Sequence, residues 1–332
     1  MKAIIPVAGI GVRLRPHTHT QPKALLPVAG KAILAHIIDS LHSRGITQFV
    51  IIIGYLGDKI EEYVRTRYPH LHLEFVTQEP RLGSAHALWV AREAMQNEKE
   101  ILIQLGDTIV GFDLEKMLTT PGTVLGVKKV ERPGLFGVAE QDEDEVVTRL
   151  VEKPRIPKSN LALVGVYKIA SAERLLQAIA YLIDNDIRTQ GEYHLTDALM
   201  RLVEAGERMT TQTVDNWFDC GRKEKLLEAN AILLNRRGPE TETLPSFPNT
   251  ILIPPVSIGE NCQISNSIIG PNVAIADHTV VHRSIIRDTI VGHYSELVHT
   301  VLHHSIIGND TSLKGLSQSL NIGDDTEIDF SL

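Results

Sequence analysis

Two glycines, an arginine and a lysine near the start of the chain form a pattern that suits a bound phosphate. An apolar run at residues 3–7 ends at Gly9, and Gly11, Arg13 and Lys23 follow. A buried strand that opens into a glycine turn leaves backbone N–H groups unpaired at its carboxyl end, and these groups attract an anion. Nearby cationic side chains strengthen that attraction. The pattern therefore predicts a phosphate-binding loop.

Three kinds of glycine loop can be compared with this pattern. A dinucleotide fingerprint needs a third glycine where Leu14 stands, and a P-loop needs Gly-Lys-Ser/Thr, which is absent. A plain tight turn would not need Arg13 and Lys23 together. What remains is G-x-G-x-R-L-x-P followed by Pro-Lys-x-Leu-Leu-Pro at residues 22–27. This combination resembles the sugar-1-phosphate nucleotidyltransferases, the pyrophosphorylases that make nucleotide sugars, and is closest to their thymidylyl- and uridylyltransferases for glucose 1-phosphate.

The resemblance implies a role for each part of the loop. The backbone at Ala8, Gly9 and Gly11 would contact the nucleotide. Arg13 would hold the departing β,γ-phosphates, and Lys23 would anchor the phosphates from the far side of the loop. Most of the catalysis would then be positioning and charge neutralisation.

Two aspartates are candidate ligands of Mg²⁺, the cofactor that the resemblance implies. Asp107 follows the apolar run Ile-Leu-Ile-Gln-Leu-Gly, and Asp219 lies in Trp-Phe-Asp-Cys-Gly, which resembles the family's W-x-D-x-G segment. A carboxylate at the carboxyl end of a strand suits Mg²⁺, which prefers a few carboxylates together with phosphates and water. A helix-capping or turn role is the alternative for Asp107.

The stretch from Thr77 to His86 resembles the base-reading loop of uridylyl and thymidylyl enzymes. The amide of Gln78 can donate and accept hydrogen bonds at once, which matches the edge of a pyrimidine. Gln78 and the backbone of Gly83 are therefore predicted to read uracil or thymine. A surface glutamine is the alternative, and His86 is interpreted as a structural helix residue.

Three later segments resemble the part of the family that binds the sugar phosphate. Lys153 would neutralise the incoming phosphate and act as a catalytic residue, while Glu152 would accept hydrogen bonds from sugar hydroxyls. The backbone at Gly137 and Val164 would complete the pocket, and Glu192 is the candidate in the stretch Gly-Glu-Tyr-His-Leu-Thr-Asp. Surface ion pairs and helix caps are the alternative interpretation.

The composition of the chain argues against several other classes of protein. The chain has 332 residues, 43% of them hydrophobic, and a formal net charge of −8. That charge argues against a broad basic face for nucleic acid. The two cysteines are far apart, which predicts neither a disulfide framework nor a zinc site. No apolar run reaches the roughly 18 residues of a membrane span, and no leader is evident. We therefore expect a cytoplasmic protein without nucleic-acid or membrane partners.

Hydrophobic periodicity predicts a Rossmann-like, doubly wound α/β sheet in the first two thirds of the chain. Strands are predicted at residues 48–53, 73–77 and 100–105, with helices between them. From Thr123 to Ile169 the pattern changes to strands separated by turns, which predicts an antiparallel insertion. Ligands of such sheets bind beyond the carboxyl ends of the strands.

A hexapeptide-like repeat follows a proline-rich segment without periodicity. Ile-Gly or Val-Gly pairs recur, each with an aliphatic residue six positions after the first. These partners are Ile264, Ile275, Leu297, Leu313 and Ile328. Ser-Ile-Ile also recurs at residues 267, 284 and 305, and its irregular second interval suggests an extra loop. The repeat predicts a left-handed parallel β-helix.

These patterns predict three parts: a catalytic domain at 1–237, a linker at 238–248 and a β-helix at 249–332. Exposed coil faces favour homo-oligomers through the β-helix. The predicted reaction is transfer from dTTP or UTP to a sugar 1-phosphate, with glucose 1-phosphate as first candidate. The alternatives are a mannose-1-phosphate guanylyltransferase, a regulatory paralogue that binds nucleotide sugars without turnover, and a bifunctional uridylyltransferase/acetyltransferase. The six histidines of the β-helix bear on that last alternative, but solvated or interface histidines are the simpler interpretation.

Overall fold

The computed structural model describes residues 1–236, 245–318 and 321–329. The chain divides into two compact units. The first unit consists of Met1–Gly9 and His36–Trp217, and the second consists of Ile10–Ala35 and Phe218–Leu332. The predicted linker at 238–248 falls largely at residues 237–244, outside the described residues, and the predicted domain bounds remain a prediction.

The strands, in chain order, are β1 (Lys2–Pro6), β2 (Pro27–Val28), β3 (Lys31–Ala32), β4 (Gln48–Ile53), β5 (His72–Thr77), β6 (Ile101–Gln104), β7 (Thr108–Gly111), β8 (Thr123–Lys129), β9 (Gly137–Gln141), β10 (Val147–Glu152), β11 (Leu161–Ile169), β12 (Met209–Thr213), β13 (Asn216–Asp219), β14 (Ile251–Leu252), β15 (Val256–Ile258), β16 (Gln263–Ser265), β17 (Ile268–Ile269), β18 (Val273–Ile275), β19 (Val280–His282), β20 (Ile285–Arg287), β21 (Ile290–Val291), β22 (Glu296–His303), β23 (Ile306–Ile307), β24 (Ser312–Gln318), β25 (Asn321–Ile322) and β26 (Glu327–Asp329). The α-helices are α1 (Ile33–His42), α2 (Gly57–Arg67), α3 (Ser84–Val90), α4 (Arg92–Met95), α5 (Leu114–Thr119), α6 (Ala172–Asp184), α7 (Leu195–Glu204) and α8 (Lys223–Arg236). Short 3₁₀ turns lie at Val12–Leu14, His17–His19, Lys23–Leu25 and Pro133–Leu135.

The first unit is built on one mixed sheet with the strand order β10-β9-β11-β6-β1-β4-β5, and β8 pairs with β11 and β12. The strands β6, β1, β4 and β5 are parallel, whereas β11 runs antiparallel to β6. Ile4 of the central strand pairs with Val50 and Ile103, and all three are buried. Apolar residues on continuous runs bury both faces of such strands. The Rossmann-like mixed sheet is confirmed.

The parallel strands bring their carboxyl ends to one edge of the sheet. The N–H of Gly106, after β6, donates to the carbonyl of Pro6 at the end of β1 over 3.1 Å. The N–H of Gln78, after β5, donates to the carbonyl of Ile53 at the end of β4 over 2.8 Å. The segments that follow these four strands therefore form one rim, the usual place for a ligand in this kind of sheet.

The predicted antiparallel insertion between Thr123 and Ile169 is confirmed. β9 and β10 form an antiparallel pair, and β11 runs antiparallel to β8 and β9. The register of β11 against β8 shifts between Leu163 and Tyr167. Gly165 lies within that shift with φ +87°, and its carbonyl accepts the N–H of Leu105 over 2.8 Å. The irregularity thus connects the insertion to the rim at the end of β6.

The second unit contains the predicted β-helix. Its strands pair in parallel, each with the strand one coil away, and form three faces. Face A contains β14, β17, β20, the second half of β22 and the second half of β24. Face B contains β15, β18, β21, β23 and β25. Face C contains β16, β19, the first half of β22, the first half of β24 and β26. Four of the five predicted inward residues are buried, and the fifth, Ile328, packs against the same core.

The expectation of an extra loop in the Ser-Ile-Ile repeat is wrong. Ile285 on face A pairs with Val301 one coil later, so Thr300 occupies the place of Ser284. The N–H of Thr300 donates to Ser284 Oγ over 3.1 Å, which continues a ladder of small polar residues inside this corner. Ser305 precedes β23 on face B, so its repeat belongs to another face. The interval is longer because the motif changes face. Ile268 pairs with Ile285, and Ile285 pairs with Val301, separations of 17 and 16 residues, so neither coil contains an inserted loop.

Among the described residues, no helix combines the length and the apolar character that a membrane crossing requires.

Candidate active site

The backbone at the end of β1 faces open space. A side chain added to Gly9 would have no heavy atom within 4 Å of its Cβ. The segments that follow β4 and β6, by contrast, approach the end of β1 closely. A Cβ on Gly54 would lie 2.9 Å from the carbonyl oxygen of Ala8, and a Cβ on Gly106 would lie 2.9 Å from the carbonyl oxygen of Pro6. Because glycines stand at the ends of these neighbouring strands, the end of β1 keeps room in which a phosphate could approach the backbone of Ala8 and Gly9. Asp107, the predicted Mg²⁺ ligand, follows Gly106 directly.

The predicted base-reading loop is fixed by hydrogen bonds of its own. Gln78 is 5% exposed, and its Nε2 donates to the carbonyl of Gly83 over 3.0 Å. The same Nε2 lies 3.3 Å from Nδ1 of His86. Burial lowers the pKa of His86, so its neutral form is favoured and Nδ1 can accept this hydrogen bond. His86 therefore positions Gln78, a role that was not expected for it.

Gly83 brings the predicted base-reading loop against the predicted sugar-binding stretch. Its φ is +111°, and a Cβ there would lie 2.4 Å from the carbonyl oxygen of Tyr193 and 3.0 Å from Cβ of Glu192. The N–H of Tyr193 donates to the carbonyl of Leu82 over 2.8 Å, and Ser84 Oγ accepts the N–H of Leu195 over 2.9 Å. Only glycine allows this approach. Ser84 thus serves this contact, and no side-chain hydrogen bond caps the start of α3.

Glu152, at the end of β10, lies at the centre of a polar cluster. Thr196 Oγ1 donates to its Oε2 over 2.7 Å, His194 Nδ1 lies 3.6 Å from its Oε1, and Lys153 Nζ lies 3.4 Å from Oε1. A Cβ on Gly137 would lie 3.0 Å from Oε2, so glycine is needed there. The Glu152 side chain is only 10% exposed, so the carboxylate is held in one place. The predicted residues Gly137, Glu152 and Lys153 are therefore brought together.

Lys153 follows β10 in an unusual backbone conformation. Its φ is +42°, and its N–H donates to the carbonyl of Phe136 over 3.0 Å. A left-handed conformation is unfavourable for a lysine, and such residues concentrate at functional sites. The bend turns Lys153 out of the line of the strand while leaving Glu152 within it.

Tyr167 connects the Glu152 cluster with the rim of the parallel strands. Burial raises the pKa of the Tyr167 hydroxyl, and the negative charges of Glu152 and Asp107 raise it further. Tyr167 itself is buried and pairs with Ile103 of β6, the strand that ends just before Asp107. Val164 is also buried, on the same strand. The first unit thus brings the predicted Asp107 into the neighbourhood of the predicted sugar-phosphate residues.

An open pocket of about 500 Å³ lies beside β10. Glu152, Arg149, Thr189, Asp197 and Glu204 contribute to its lining. Burial raises the pKa of Asp197, and a hydrogen bond with Thr189 lowers it in part. Glu152 thus belongs both to the lining of this pocket and to the cluster that it forms with Thr196 and His194.

In the second unit, Gly11 and Lys23 lie in direct contact. Gly11 has φ +72°, and a Cβ there would lie 3.0 Å from Cβ of Lys23 and 3.2 Å from Cγ2 of Thr18. Thr18 Oγ1 donates to the carbonyl of Gly11 over 2.9 Å. Lys23 itself is 9% exposed. The loop therefore doubles back so that the predicted phosphate lysine returns to the predicted phosphate glycine, nine-tenths buried but still adjacent to the turn.

Arg13 and Asp219 lie around Gly221 in the same unit. A Cβ on Gly221 would be 2.8 Å from Arg13 Nη2 and 2.8 Å from Asp219 Oδ1. Any larger residue would displace the guanidinium group or the carboxylate. Gly221 is the last residue of the W-x-D-x-G segment, so its place in that motif is explained by this crowding.

The sequence interpretation missed several residues of these clusters. Thr196 and His194 hold Glu152, whereas Glu192, chosen from the same stretch, is exposed. His194 is the last residue before α7 and Thr196 lies in its first turn, so no strand-like alternation relates them and no local pattern pointed to either. The role of Tyr167 depends on long-range packing, and no local pattern could have shown it.

The candidate ligands Asp107 and Asp219 are not part of a preformed metal cage in the part of the chain that the structure describes. Among the described residues, no group of three or more histidine, cysteine, aspartate or glutamate side chains could hold a metal ion. Single carboxylates such as Asp107 and Asp219 suit an ion that keeps water and phosphate oxygens as its other ligands, as Mg²⁺ does. The donor set therefore fits Mg²⁺ arriving with a nucleotide.

Comparison with known proteins decides the family. Residues 2–236 match the family described as Nucleotidyl transferase. The chain belongs to this family. A glucose-1-phosphate thymidylyltransferase of Streptomyces griseus is 31% identical over 315 residues, covering 88% of this chain and 87% of the relative. A bifunctional protein GlmU of Methanococcus vannielii is 31% identical and covers 96% of this chain and 76% of the relative.

A solved structure supports the fold of this nucleotidyl transferase. A UDP-glucose pyrophosphorylase complexed with UDP-glucose superimposes with a TM-score of 0.62 at 22% sequence identity, covering 71% of this chain and 99% of that one. The predicted family and fold class are confirmed. The roles predicted for individual site residues are not tested by these comparisons and remain predictions.

Proposed function

We propose that this nucleotidyl transferase moves the nucleotidyl group of dTTP or UTP to a sugar 1-phosphate, most simply glucose 1-phosphate, and releases pyrophosphate. The observation that carries the proposal is the Glu152 cluster. A nearly buried carboxylate suited to sugar hydroxyls is followed directly by Lys153, a cation suited to a phosphate. Membership of the family supplies the reaction class, and both the thymidylyltransferase relatives and the UDP-glucose pyrophosphorylase take part in glucose chemistry by name.

The reaction needs one bond formed and one broken at the α-phosphorus. A phosphate oxygen of the sugar 1-phosphate attacks that phosphorus in line, and the bond to the bridging oxygen of the β-phosphate breaks. No proton has to be removed from the attacking phosphate, so catalysis is positioning and charge stabilisation. In this proposal Arg13 and Lys23 neutralise the departing pyrophosphate, and Lys153 neutralises the attacking phosphate.

We assign Asp107 and Asp219 as the protein's ligands for Mg²⁺. When bound, the ion would polarise the phosphate oxygens and neutralise charge as pyrophosphate leaves. The place of Asp219 supports this assignment, because its Oδ1 and Arg13 Nη2 would each lie 2.8 Å from a Cβ on Gly221.

Gln78 is proposed to read the base through its oxygen. Its Nε2 is already bound to the carbonyl of Gly83, so the amide is oriented with Oε1 as the available acceptor. The N3–H of uracil or thymine is a donor that such an oxygen can accept, together with a backbone N–H for a base carbonyl. This arrangement favours a pyrimidine and does not distinguish dTTP from UTP. An enzyme that consumes either would work in the cytoplasm, where these nucleotides are made.

We further propose that the β-helix forms homodimers through face A. The aliphatic part of its outward row consists of Ile251, Ile268, Ile285 and Val301, paired in register, and three of these are 39–60% exposed. The corresponding aliphatic residues of face B are buried. Exposed aliphatic rows of this kind favour association. The row has two members on each side of its midpoint, so a second copy can meet it in register about a two-fold axis.

Charge favours one direction of that axis. The basic residues that flank the row, Arg283 and Arg287, lie on one coil, while Asn266 and Gly270 occupy the same places one coil earlier. An axis along the strands sets Ile251 opposite Val301 and keeps the arginines apart. Mild oxidation of the double variant Ile251→Cys/Val301→Cys should then give a covalent dimer, while either single variant should not. A monomeric wild type would refute the proposed dimer, and a crosslinked single variant would refute the antiparallel arrangement.

A matrix of nucleotides and sugars tests the proposed reaction. Pyrophosphate release is measured with the purified protein, Mg²⁺, five nucleoside triphosphates and a set of sugar 1-phosphates. We expect activity with dTTP or UTP and glucose 1-phosphate. Activity confined to GTP and mannose 1-phosphate would overturn the assignment of Gln78, and binding without turnover would indicate a regulatory protein.

A further inference from the structure

The loop that carries Arg13 and Lys23 is held by the β-helix at two separate places. We call residues 10–32 the phosphate loop. The loop and the β-helix both belong to the second unit. At its carboxyl end, the N–H of Ala29 donates to Asn230 Oδ1 over 2.9 Å, and Asn230 Nδ2 donates to the carbonyl of Asn272 over 2.9 Å. Asn230 is completely buried, so it connects the phosphate loop to the second coil through α8.

A close backbone approach reinforces this first anchor. Gly30 has φ +75°, and a Cβ there would lie 2.5 Å from Ser257 Oγ in the first coil. No larger residue could occupy this place without moving the loop or the coil. Asn272 Nδ2 in turn donates to Asp288 Oδ1 over 2.8 Å, so the contact is tied into the coil that follows.

The second anchor lies at the opposite end of the β-helix, in its last described coil. Thr20 Oγ1 donates to Asp324 Oδ2, and His17 Nε2 forms a hydrogen bond with Asn321 Oδ1. A Cβ on Gly323 would lie 2.9 Å from Cβ of Pro16, so the backbones also meet closely. Asp324 is not a loose surface residue, because its Oδ1 accepts the N–H of Asn309 from the preceding coil over 2.8 Å.

The two cations flank this second anchor. Arg13 precedes His17 by four residues, and Lys23 follows Thr20 by three. Thr18, between the two anchored residues, donates to the carbonyl of Gly11, so the anchor extends to the turn of the loop. A cation stabilises a leaving phosphate best when its position is fixed before the reaction, because the cost of ordering it is then already met. A side chain held 1 Å away from its productive position loses much of that effect.

We propose that the β-helix is a scaffold for the phosphate loop, and that Asn321, Asp324 and Asn230 are positioning residues for Arg13 and Lys23. The ligand of the loop is taken from the proposed function, whereas the scaffold rests only on the contacts above. A consequence is that the last coil contributes to the nucleotide half of the reaction and leaves the sugar-phosphate half unaffected.

The cleanest variant is Thr20→Val, which removes one hydroxyl and keeps the shape of the side chain. We expect kcat/KM for the nucleoside triphosphate to fall about tenfold, since the lost hydrogen bond is to a charged acceptor. KM for the sugar 1-phosphate should stay at its wild-type value. Thr20→Ser should restore activity, and Glu327→Gln, a charge change in the same coil, should have no effect.

A cycle with Asp324→Ala tests whether the two residues act through each other. The double variant Thr20→Val/Asp324→Ala should be no more impaired than the worse single variant, because both remove the same contact. Effects on kcat/KM that multiply would show that the two residues act independently, and would overturn the assignment of this contact.

Hydrogen–deuterium exchange supplies a readout that needs no activity. The N–H groups of His19 and Gln21 are hydrogen-bonded within the loop, to the carbonyls of Pro16 and His17. In Thr20→Val their exchange should become faster, while exchange in β20 and β22 should not change. Unchanged exchange would overturn the scaffold. Faster exchange with wild-type kinetics would overturn the positioning role, and an inactive wild type with faster exchange in the variant would refute the proposed function alone.

Discussion

Thr196 Oγ1 donates a hydrogen bond to Glu152 Oε2 over 2.7 Å, although 44 residues separate the two in sequence. The contact connects the end of β10 with the first turn of α7, so the carboxylate that is proposed to bind the sugar is held from the far side. Replacing Thr196 with valine removes the hydroxyl and keeps the shape. We expect KM for the sugar 1-phosphate to rise about fivefold, because Glu152 loses a hydrogen bond that orients it.

Thr196→Ser is the matched control and should be close to wild type in steady-state assays. KM for the nucleoside triphosphate should not change in either variant. A larger effect of Thr196→Val on the nucleotide than on the sugar 1-phosphate would contradict the assignment of Glu152.

Gly9 and Gly54 are expected to have different roles: Gly9 a functional one and Gly54 a structural one. A Cβ on Gly9 would meet nothing within 4 Å, while one on Gly54 would lie 2.8 Å from Cβ of Ala8 and 2.9 Å from its carbonyl oxygen. Gly9→Ala should therefore keep the wild-type melting temperature but raise KM for the nucleotide at least about tenfold, since the methyl group would occupy the space left for a phosphate. Gly54→Ala should instead lower the melting temperature. Normal nucleotide binding by a stable Gly9→Ala variant would show that the phosphates lie elsewhere.

His17 should make stability depend on pH. Burial lowers the pKa of His17 below its ordinary value of 6.5, with Lys223 adding to the decrease, while the hydrogen bond with Asn321 and the charge of Asp324 oppose it. The unfolded chain therefore takes up a proton at a higher pH than the folded chain does. The contribution of His17 to the free energy of unfolding is therefore fully present above pH 6.5 and decreases as the pH falls below that value.

Urea unfolding at pH 7.5 and pH 5.5 measures this effect. The free energy of unfolding should fall between the two values, and it should fall less in His17→Gln, which keeps a side chain able to bond Asn321. Equal losses in the two proteins would mean that His17 contributes nothing to the pH dependence. Comparing the loss in each protein removes the contribution of the other histidines.

Asp107 should be essential for turnover but not for folding. Asp107→Asn removes the charge that is proposed to bind Mg²⁺ while keeping the size of the side chain, so kcat should fall at least roughly a hundredfold. Asp113→Asn is a matched control, because Asp113 caps α5 by accepting the N–H of Lys116, which asparagine can also do. If Asp107→Asn retained near-normal kcat across a titration of Mg²⁺, Asp107 would not be a metal ligand.

Local patterns predicted the parts of this fold that depend on periodicity. The apolar run at residues 48–53 became β4 with the same bounds, and the inward aliphatic residues of the β-helix, such as Ile275 and Leu297, are buried as expected. The face change at Ser305 was misread because a three-residue motif does not say on which side of a triangular coil it lies. Periodicity describes one element at a time, and so it cannot assign a repeat to a face.

The supporting residues of the site could not be predicted in the same way. Gly9, Arg13 and Lys23 belong to a compact motif, whereas Thr196 and His194 act on Glu152 only after β10 and α7 have packed. Likewise, nothing near Thr20 in the sequence points to a partner 304 residues away. Such contacts are consequences of the tertiary fold, and a local reading of side-chain types does not contain them.

We propose that nucleotidyl transfer occurs at the α-phosphorus, and the products of a single reaction test this claim. The protein is incubated with Mg²⁺, glucose 1-phosphate and either dTTP or UTP, and nucleotide sugar and pyrophosphate are quantified together by mass spectrometry. We predict one pyrophosphate for each nucleotide sugar formed, with neither product made when glucose 1-phosphate is omitted. Release of a nucleoside diphosphate or of inorganic phosphate in place of pyrophosphate, or no product from any nucleotide and sugar 1-phosphate, would contradict the claim.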